Sequence, residues 1–238
     1  MRLPLNGVPF LWLVRLSGHS GAGKSRLTSA LARRGIPRAV IYTSRLPRPG
    51  ESHGIDYYFL SRGAIEALPG DQFLIRPVRN MLQAVDLMAL QVDLQTNGLV
   101  LIEIFHDLWP ELMDAMVQRI GSRLRTTSIF MTAVSPDELR NLPDDASRAE
   151  KIQSEVAQIL RSRGKNTLSD IKTRSESAVS EILQAIRLNG AEQYSKILHS
   201  SPEGPDGVDD WTREGGPVGR AAAAIDEFMN LLSQREEN

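Results

Sequence analysis

Lys24 and Ser25 close the run Gly18-His-Ser-Gly-Ala-Gly23-Lys24-Ser25, which fits the spacing G-x-x-x-x-G-K-[ST]. Glycines at the start and end of such a turn let successive backbone N–H groups converge on one point, where a phosphate is held without a Cβ in the way. A lysine at this spacing reaches the β- and γ-phosphates of a nucleoside triphosphate, and the following hydroxyl is a ligand for Mg²⁺. Gly18, Ser20, Gly21, Ala22, Gly23, Lys24, Ser25 and the adjoining Arg26 are therefore the candidate nucleotide-binding set, with Ser25 at the metal.

A second group of side chains lies in Thr43-Ser-Arg45-Leu-Pro-Arg48-Pro-Gly50-Glu51-Ser-His-Gly54-Ile-Asp56-Tyr57. Arg45 and Arg48 are three apart and stiffened by Pro47 and Pro49, so two guanidinium forks are offered to one oxyanion at low entropic cost. Glu51 is placed to orient one fork, and Tyr57 adds a hydroxyl donor. Arginines scattered in a loop are more often solvated surface charges. Beside a phosphate loop, a second phosphate site is the stronger reading.

Elements of definite kinds must hold these loops. Phe10–Leu16 is an apolar run of strand length before the glycine turn, and Leu27, Ala30, Leu31 and Arg34 follow it at helical spacing. Leu11–Leu16, Ala39–Tyr42, Leu99–Ile104, Ser128–Ala133 and Tyr194–His199 recur as apolar, β-rich segments with helical patterns between most of them. That alternation predicts an α/β fold, a parallel sheet of the P-loop NTPase type with helices on both faces and ligands beyond the carboxyl ends of its strands. Two stretches interrupt the rhythm. Thr43–Val92 carries the arginine loop, an alternating strand over Asp56–Ser61 and a helical pattern around Met81–Leu90. Asp137–Ser175 is charged and largely helical, with little apolar material of its own. The predicted organisation is a core of 1–42, 93–136 and 176–238 with two appendages, 43–92 and 137–175, which the family resemblance given below implies to be an acceptor-binding region and a lid. Ser200–Val218, rich in Gly, Pro and Asp, is expected as a surface loop, and Val218–Leu232 as a closing helix.

Composition narrows the classes. Lys+Arg of 28 against Asp+Glu of 29 gives a net charge of −1, so no basic field points to nucleic acid or an anionic membrane as partner. With 0 cysteines there is no disulfide, thiol nucleophile or Cys-ligated metal. The apolar stretch before the glycine turn is too short to span a bilayer, and cleaving it as a signal peptide would destroy the site. A cytoplasmic protein is expected. His19 is expected at a solvent-facing loop position, His53 in a turn, and Trp12 and Trp109 near the core.

The phosphate loop followed by T-S-R-L-P-R-P-G-E-S-H-G-I-D-Y-Y-F resembles the guanylate kinase family, which carries T-T-R-x-P-R-x-G-E-x-x-G-x-D-Y-x-F in this place. Leu99–Ile104 resembles the strand bearing the family's acidic residue near the metal, here Glu103. Ile129–Leu139 is similar to its strand and "P-x-S-x-x-E-L" turn, Arg161–Ile182 to its arginine-rich lid, and Tyr194–Leu198 to its last strand. The resemblance implies phosphoryl transfer from ATP·Mg²⁺ to a small-molecule acceptor, a nucleoside monophosphate or similar. It implies Lys24 and Ser25 at ATP and Mg²⁺, and Arg45, Arg48 and Tyr57 at the acceptor's phosphate, with Glu51, Asn80 and Glu103 in the same site. Arg163 and Arg174 correspond to lid arginines that close over the transferring group, so Lys24, Arg48, Arg163 and Arg174 are the catalytic set.

The chain also departs from the family. On an alignment about two residues shorter over Phe73–Ala84, a base-reading glutamate falls on Ile75, a phosphate-binding tyrosine on Leu82 and a base-reading hydroxyl on Ala84. Glu103-Ile-Phe105 likewise has phenylalanine at the position of a second acid. Phosphate-handling residues are kept and base-reading ones are not. This leaves room for two other readings: a kinase of a sugar phosphate or modified nucleotide, and a non-catalytic nucleotide-binding or regulatory module. The intact Lys24 and Ser25 favour the enzyme.

Overall fold

The computed structural model describes residues 10–78, 80–104, 106–162, 164, 167–188, 194–200, 211 and 216–233. Strand β1 (Leu11–Gly18) is buried along most of its length. Helix α1 (Lys24–Ala32) follows it, burying Leu27, Thr28, Ala30 and Leu31. The segment expected as a single strand at Ala39–Tyr42 is two short ones, β2 (Arg38–Ala39) and β3 (Tyr42–Thr43), which go to different sheets. After β4 (Tyr58–Phe59) and α2 (Arg62–Glu66) come β5 (Phe73–Val78) and β6 (Met81–Asp86). Next are α3 (Leu87–Asn97), β7 (Leu99–Glu103), α4 (Trp109–Ile120) and β8 (Leu124–Thr132). The chain continues through α5 (Pro136–Arg140), α6 (Asp145–Ser162), α7 (Leu168–Leu188), β9 (Lys196–His199) and α8 (Gly219–Ser233).

The larger sheet has five strands in the order β2-β7-β1-β8-β9, with β2/β7 and β8/β9 parallel. Its strands read as continuous apolar runs because both faces are covered by helices, the signature of a parallel sheet. The expected fold class is the observed one.

Two compact units divide the chain, Met1–Arg15 with Arg34–Thr127 and Leu16–Arg33 with Ser128–Asn238. In the first, Ile102 and Ile104 at the end of β7 are buried with Leu90 and Leu94 of α3, Leu112 and Met116 of α4, and Val85 of β6. In the second, Phe130, Val134, Ile152, Val156, Leu160, Ile171, Ala178 and Ile182 form one cluster. So the charged stretch after Asp137 does have apolar material of its own. At helical spacing, Ile152, Val156 and Leu160 give α6 a seam against α7, outnumbered in sequence by solvated charges on its other face.

The smaller sheet, β4-β3-β6-β5, belongs to the first unit. The helical pattern expected at Met81–Leu90 is half wrong, because Met81–Asp86 is strand and the helix begins at Leu87. Asp86 sets that boundary. Its carboxylate accepts from the N–H groups of Met88 and Ala89 at 3.0 and 2.9 Å, a cap that closes the strand and opens the helix. Pro77 hid β5, which tolerates it as the edge strand, where no ladder N–H is needed. The expected surface loop lies almost wholly outside the described residues. The closing helix is α8.

Candidate active site

The second unit holds the phosphate loop. Gly23 ends it at φ 86° and, having no side chain, caps α1 without a side-chain hydrogen bond, so no cap side chain stands between the helix N-terminus and a ligand. Gly18 has φ 142°, and a Cβ there would lie 2.2 Å from the Met131 carbonyl oxygen. Gly18→Ala is therefore expected to cost at least about 2 kcal/mol of stability through backbone displacement, measured as a lowered urea midpoint. An unchanged midpoint would show that β8 yields freely.

Lys24 folds back over the loop, its Nζ donating to the Gly18 and His19 carbonyls at 2.6 and 3.1 Å. Ser25 is exposed, and its hydroxyl makes no hydrogen bond among the described residues. Ser20 and Gly21 are half-buried and Ala22 is buried. Arg26 donates its backbone N–H to the Gly23 carbonyl at 3.0 Å. His19 corrects the expectation of a solvent-facing side chain, being 0 % exposed. Its Nε2 accepts from the Ala133 N–H at 3.0 Å, which places the ring hydrogen on Nδ1, 2.8 Å from the Ser20 carbonyl. The imidazole is thus a brace between the loop and the end of β8. Ser200 braces the far side, its hydroxyl donating to the Ala22 carbonyl at 2.7 Å. Trp211, without a role in the sequence reading, is buried, with Nε1 3.3 Å from where a Cβ on Gly23 would stand.

Of the two lid arginines, Arg174 lies on α7, half-buried and without a hydrogen bond or ion pair among the described residues. Arg163 lies outside the described residues.

The first unit holds the arginine loop, and here the residues converge on Glu51. Arg45 donates from Nη1 and Nη2 to its two carboxylate oxygens at 2.6 and 2.7 Å. The Arg48 backbone N–H donates to Glu51 Oε2 at 2.7 Å, and the Arg48 Nη1 lies 3.9 Å from Oε1. Burial alone would raise the Glu51 carboxyl pKa. Arg45 and the Arg48 backbone and charge outweigh it and hold the carboxyl below its ordinary value. Burial works against the charge on Arg45 as well, and Glu51 and Tyr57 more than offset it. The Arg45 guanidinium sits 4.8 Å over the Tyr57 ring and 5.3 Å over that of Phe59.

This arrangement fixes which part of Arg45 is available. Glu51 occupies the end formed by Nη1 and Nη2, and the Leu46 carbonyl takes a further Nη1 hydrogen at 2.9 Å. The side edge, Nε–H with the second Nη2–H, donates to no carboxylate or carbonyl among the described residues, and the guanidinium's remaining side-chain hydrogen bond is with Tyr57. That edge is still a two-donor fork. Tyr57 is held in its protonated form, its pKa raised by burial and by the charge of Glu103 against the opposing effects of Arg45 and Arg38. It can donate a hydrogen bond at neutral pH.

Glu103, at the end of β7, lies 3.6 Å from Arg38 Nη1, and its Oε1 is buried and accepts no hydrogen bond. Arg38 was not foreseen. Its Nη2 also donates to the carbonyls of Ile55 and Asp56, at 2.5 and 3.1 Å, tying the end of the arginine loop to the strand that carries Glu103. One arginine in an apolar strand context gives no sequence signal for such a tie. His53 forms an isolated β-bridge with Tyr57 at the edge of the 54–56 turn, with Nδ1 accepting from the Phe59 N–H at 3.2 Å. Trp109 stacks on the buried Arg15, 5.0 Å away.

The positions expected to have lost base-reading groups are found together. Ile75 pairs with Ala84 across the β5/β6 hairpin. Ala84 and Leu82 are buried with Phe73 and with Ile65 of α2, and Ile75 packs against them. Val78 pairs with Met81, so only positions 79 and 80 connect the strands. That is the shortest common hairpin connection, and a shortening by two residues there leaves the pairing above it in register. Asn80 is exposed in this turn, while Arg79 and Phe105 lie outside the described residues.

No family model matches the chain. A guanylate kinase from Chlamydia felis is 30% identical over 157 residues, which cover 61% of this chain and 73% of that protein. The chain belongs to the guanylate kinase family. Guanylate kinases from Lactobacillus johnsonii and Rhodopirellula baltica are 32% identical over 132 residues and 49% identical over 57. The chain spans 65% of the first relative's length and 27% of the second's. The crystal structure of a guanylate kinase from Anaplasma phagocytophilum, 13% identical, superposes with a TM-score of 0.53, covering 98% of this chain and 89% of that one, and has the same fold. Among the described residues, no helix is long and apolar enough to cross a membrane, and no three His, Cys, Asp or Glu side chains cluster to hold a metal ion.

Proposed function

We propose that this member of the guanylate kinase family catalyses ATP-dependent phosphoryl transfer to a nucleoside monophosphate. The observation that carries the reading is the Arg45–Glu51 pair. An arginine held end-on by a carboxylate and bonded to a protonated tyrosine places donors side by side, as a receptor for one dianionic phosphate does. The phosphate loop supplies the other substrate's site. Lys24 exchanges its two carbonyl partners for phosphate oxygens when ATP binds. The free Ser25 hydroxyl suits a hard cation, so it is the residue that would hold Mg²⁺, which supplies charge neutralisation at the phosphates.

In the transfer, an oxygen of the acceptor's phosphate bonds to the γ-phosphorus as the bond to the ADP oxygen breaks. Little covalent help is needed, so the protein's part is alignment and cationic stabilisation. Arg45, Arg48 and Tyr57 fix the attacking phosphate, and Lys24 meets the charge that develops on the transferring group. We assign Arg163 and Arg174 to closing over that group, the region 43–92 to the acceptor and 137–175 to the lid. A cytoplasmic location suits such an enzyme. The test is ATP consumption by the purified chain with a panel of nucleoside monophosphates and sugar phosphates. No acceptor-dependent consumption would refute the proposal.

GMP is expected to hold no privileged place among the acceptors. Ile75, Leu82 and Ala84 are committed to an apolar cluster and offer guanine nothing for its N1–H and amino group. A site without matched partners discriminates weakly. The kcat/KM for GMP should lie within about tenfold of that for the best monophosphate, and a GMP preference of a hundredfold would overturn the expectation.

A further inference from the structure

Side chains alternate across the β6 strand, and the two faces of its sheet differ in chemistry. Leu82 and Ala84 face the α2 cluster. Between them, Gln83 faces the other way, with Val85, and directly opposite residues in an antiparallel pair share a face. Gln83 pairs with Thr43 of β3 on one side and with Arg76 of β5 on the other. Val85, with Ile41 just before β3 and Leu74 on β5, packs in the same cluster as Ile102 and Ile104 around Glu103, and Tyr57 packs on that cluster too. Thr43 Oγ1 lies 3.4 Å from the Arg45 backbone N–H. The face that carries Gln83 is thus the face of the acceptor-phosphate residues.

Gln83 is 4 % exposed, and its Oε1 is buried with no hydrogen-bond partner among the described residues. Its neighbours have settled elsewhere. Thr43 Oγ1 donates to the Met81 sulfur at 3.6 Å, and Arg76 is bound to Glu111 through Nε at 2.8 Å and through Nη2. A buried carbonyl oxygen left unpaired is unfavourable, and an apolar residue of the same size would remove the penalty. The amide makes sense if a ligand supplies the missing donor.

We propose that Gln83 is the residue that reads the acceptor's base, its Oε1 accepting an N–H from the hydrogen-bonding edge of the nucleobase. This rests on the kinase reading above and deepens it. Guanine, adenine, cytosine, uracil and thymine all carry an N–H on that edge, whereas a sugar phosphate carries none. Gln83 therefore selects for the presence of a base rather than for one base, and nucleotides are the substrate class.

The experiment compares wild type with Gln83→Met, which keeps length and removes the amide. The probes are GMP, AMP, UMP and CMP against ribose 5-phosphate, read as kcat/KM with ATP and as the shift in melting temperature without it. Wild type should prefer the monophosphates over ribose 5-phosphate by about tenfold or more, and Q83M should lose roughly that factor on the monophosphates alone. Ligand-free Q83M should melt at or above the wild-type temperature. An equal loss on all acceptors, no loss on any, or a lowered melting temperature overturns the proposal. If Q83M does not fold, the side-chain amide resonance of Gln83 in the wild-type chain decides. It should move with UMP and not with ribose 5-phosphate, and movement with both or neither overturns the inference. Should wild type consume no ATP while monophosphates still raise its melting temperature in a Gln83-dependent manner, the kinase reading fails and the base contact stands.

Discussion

Replacing Lys24 by alanine is expected to lower kcat by on the order of a hundred- to a thousandfold, the loss typical of removing one preorganised charge from a transition state. The ammonium already sits at the mouth of the loop, 2.6 Å from the Gly18 carbonyl, so it needs no large movement to meet a phosphate. The Gly18 and His19 carbonyl oxygens both hold it at the loop. The loop itself does not depend on it, because His19 and Ser200 brace the turn from other elements. Folding should therefore survive, with a melting temperature near wild type and intact circular dichroism. If ATP affinity and turnover both persist in Lys24→Ala, the phosphate loop is not the nucleotide site and the central assignment is wrong.

Legibility from sequence followed the range of the interactions. The parallel strands could be read because β1, β7 and β8 are buried on both faces and so are apolar without interruption. The phosphate loop could be read because its chemistry is confined to Gly18–Ser25, and the Arg45–Glu51 pairing because it spans six residues. Errors appeared wherever a distant partner decides the outcome. Ala39–Tyr42 looked like one strand, but β2 pairs with β7 while β3 pairs with β6, and nothing local marks the break. Met81–Asp86 looked helical because Leu82 and Val85 are also at helical spacing, and only pairing with β3 and β5 makes it a strand. His19 looked solvent-facing because the acceptor it offers is used by Ala133, more than a hundred positions away in the chain. Gln83 was passed over for a related reason. The strand register shows which residue of Leu82-Gln83-Ala84 shares a face with Thr43, and a motif alignment compares letters without faces.

Arg45→Ala should raise the acceptor KM and lower kcat, reducing kcat/KM by on the order of a hundredfold, with ATP affinity nearly unchanged. Arg45→Lys should rescue little of it. An ammonium could pair with Glu51, but it has no second, parallel pair of donors to present once that contact is made. On the proposed reading, the guanidinium would do both at once, bonded to Glu51 through Nη1 and Nη2 and meeting the phosphate with its remaining donors. Glu51→Gln supplies the complementary measurement. It removes the charge that Arg45 is set against while keeping an acceptor, so its effect should fall on the acceptor KM more than on kcat. The pH dependence follows with a definite sign. Glu51 has a folded-state pKa below its unfolded one, so its contribution is complete above the unfolded value, near pH 4.5, and is lost as pH falls through the lower folded value. Acceptor affinity and stability should therefore decline together on acidification below about pH 4.5 in wild type, and this component should be missing from Glu51→Gln. Equal weakening of ATP and acceptor in Arg45→Ala, with a lowered melting temperature, would mean that the pair holds the fold of the loop and touches no substrate.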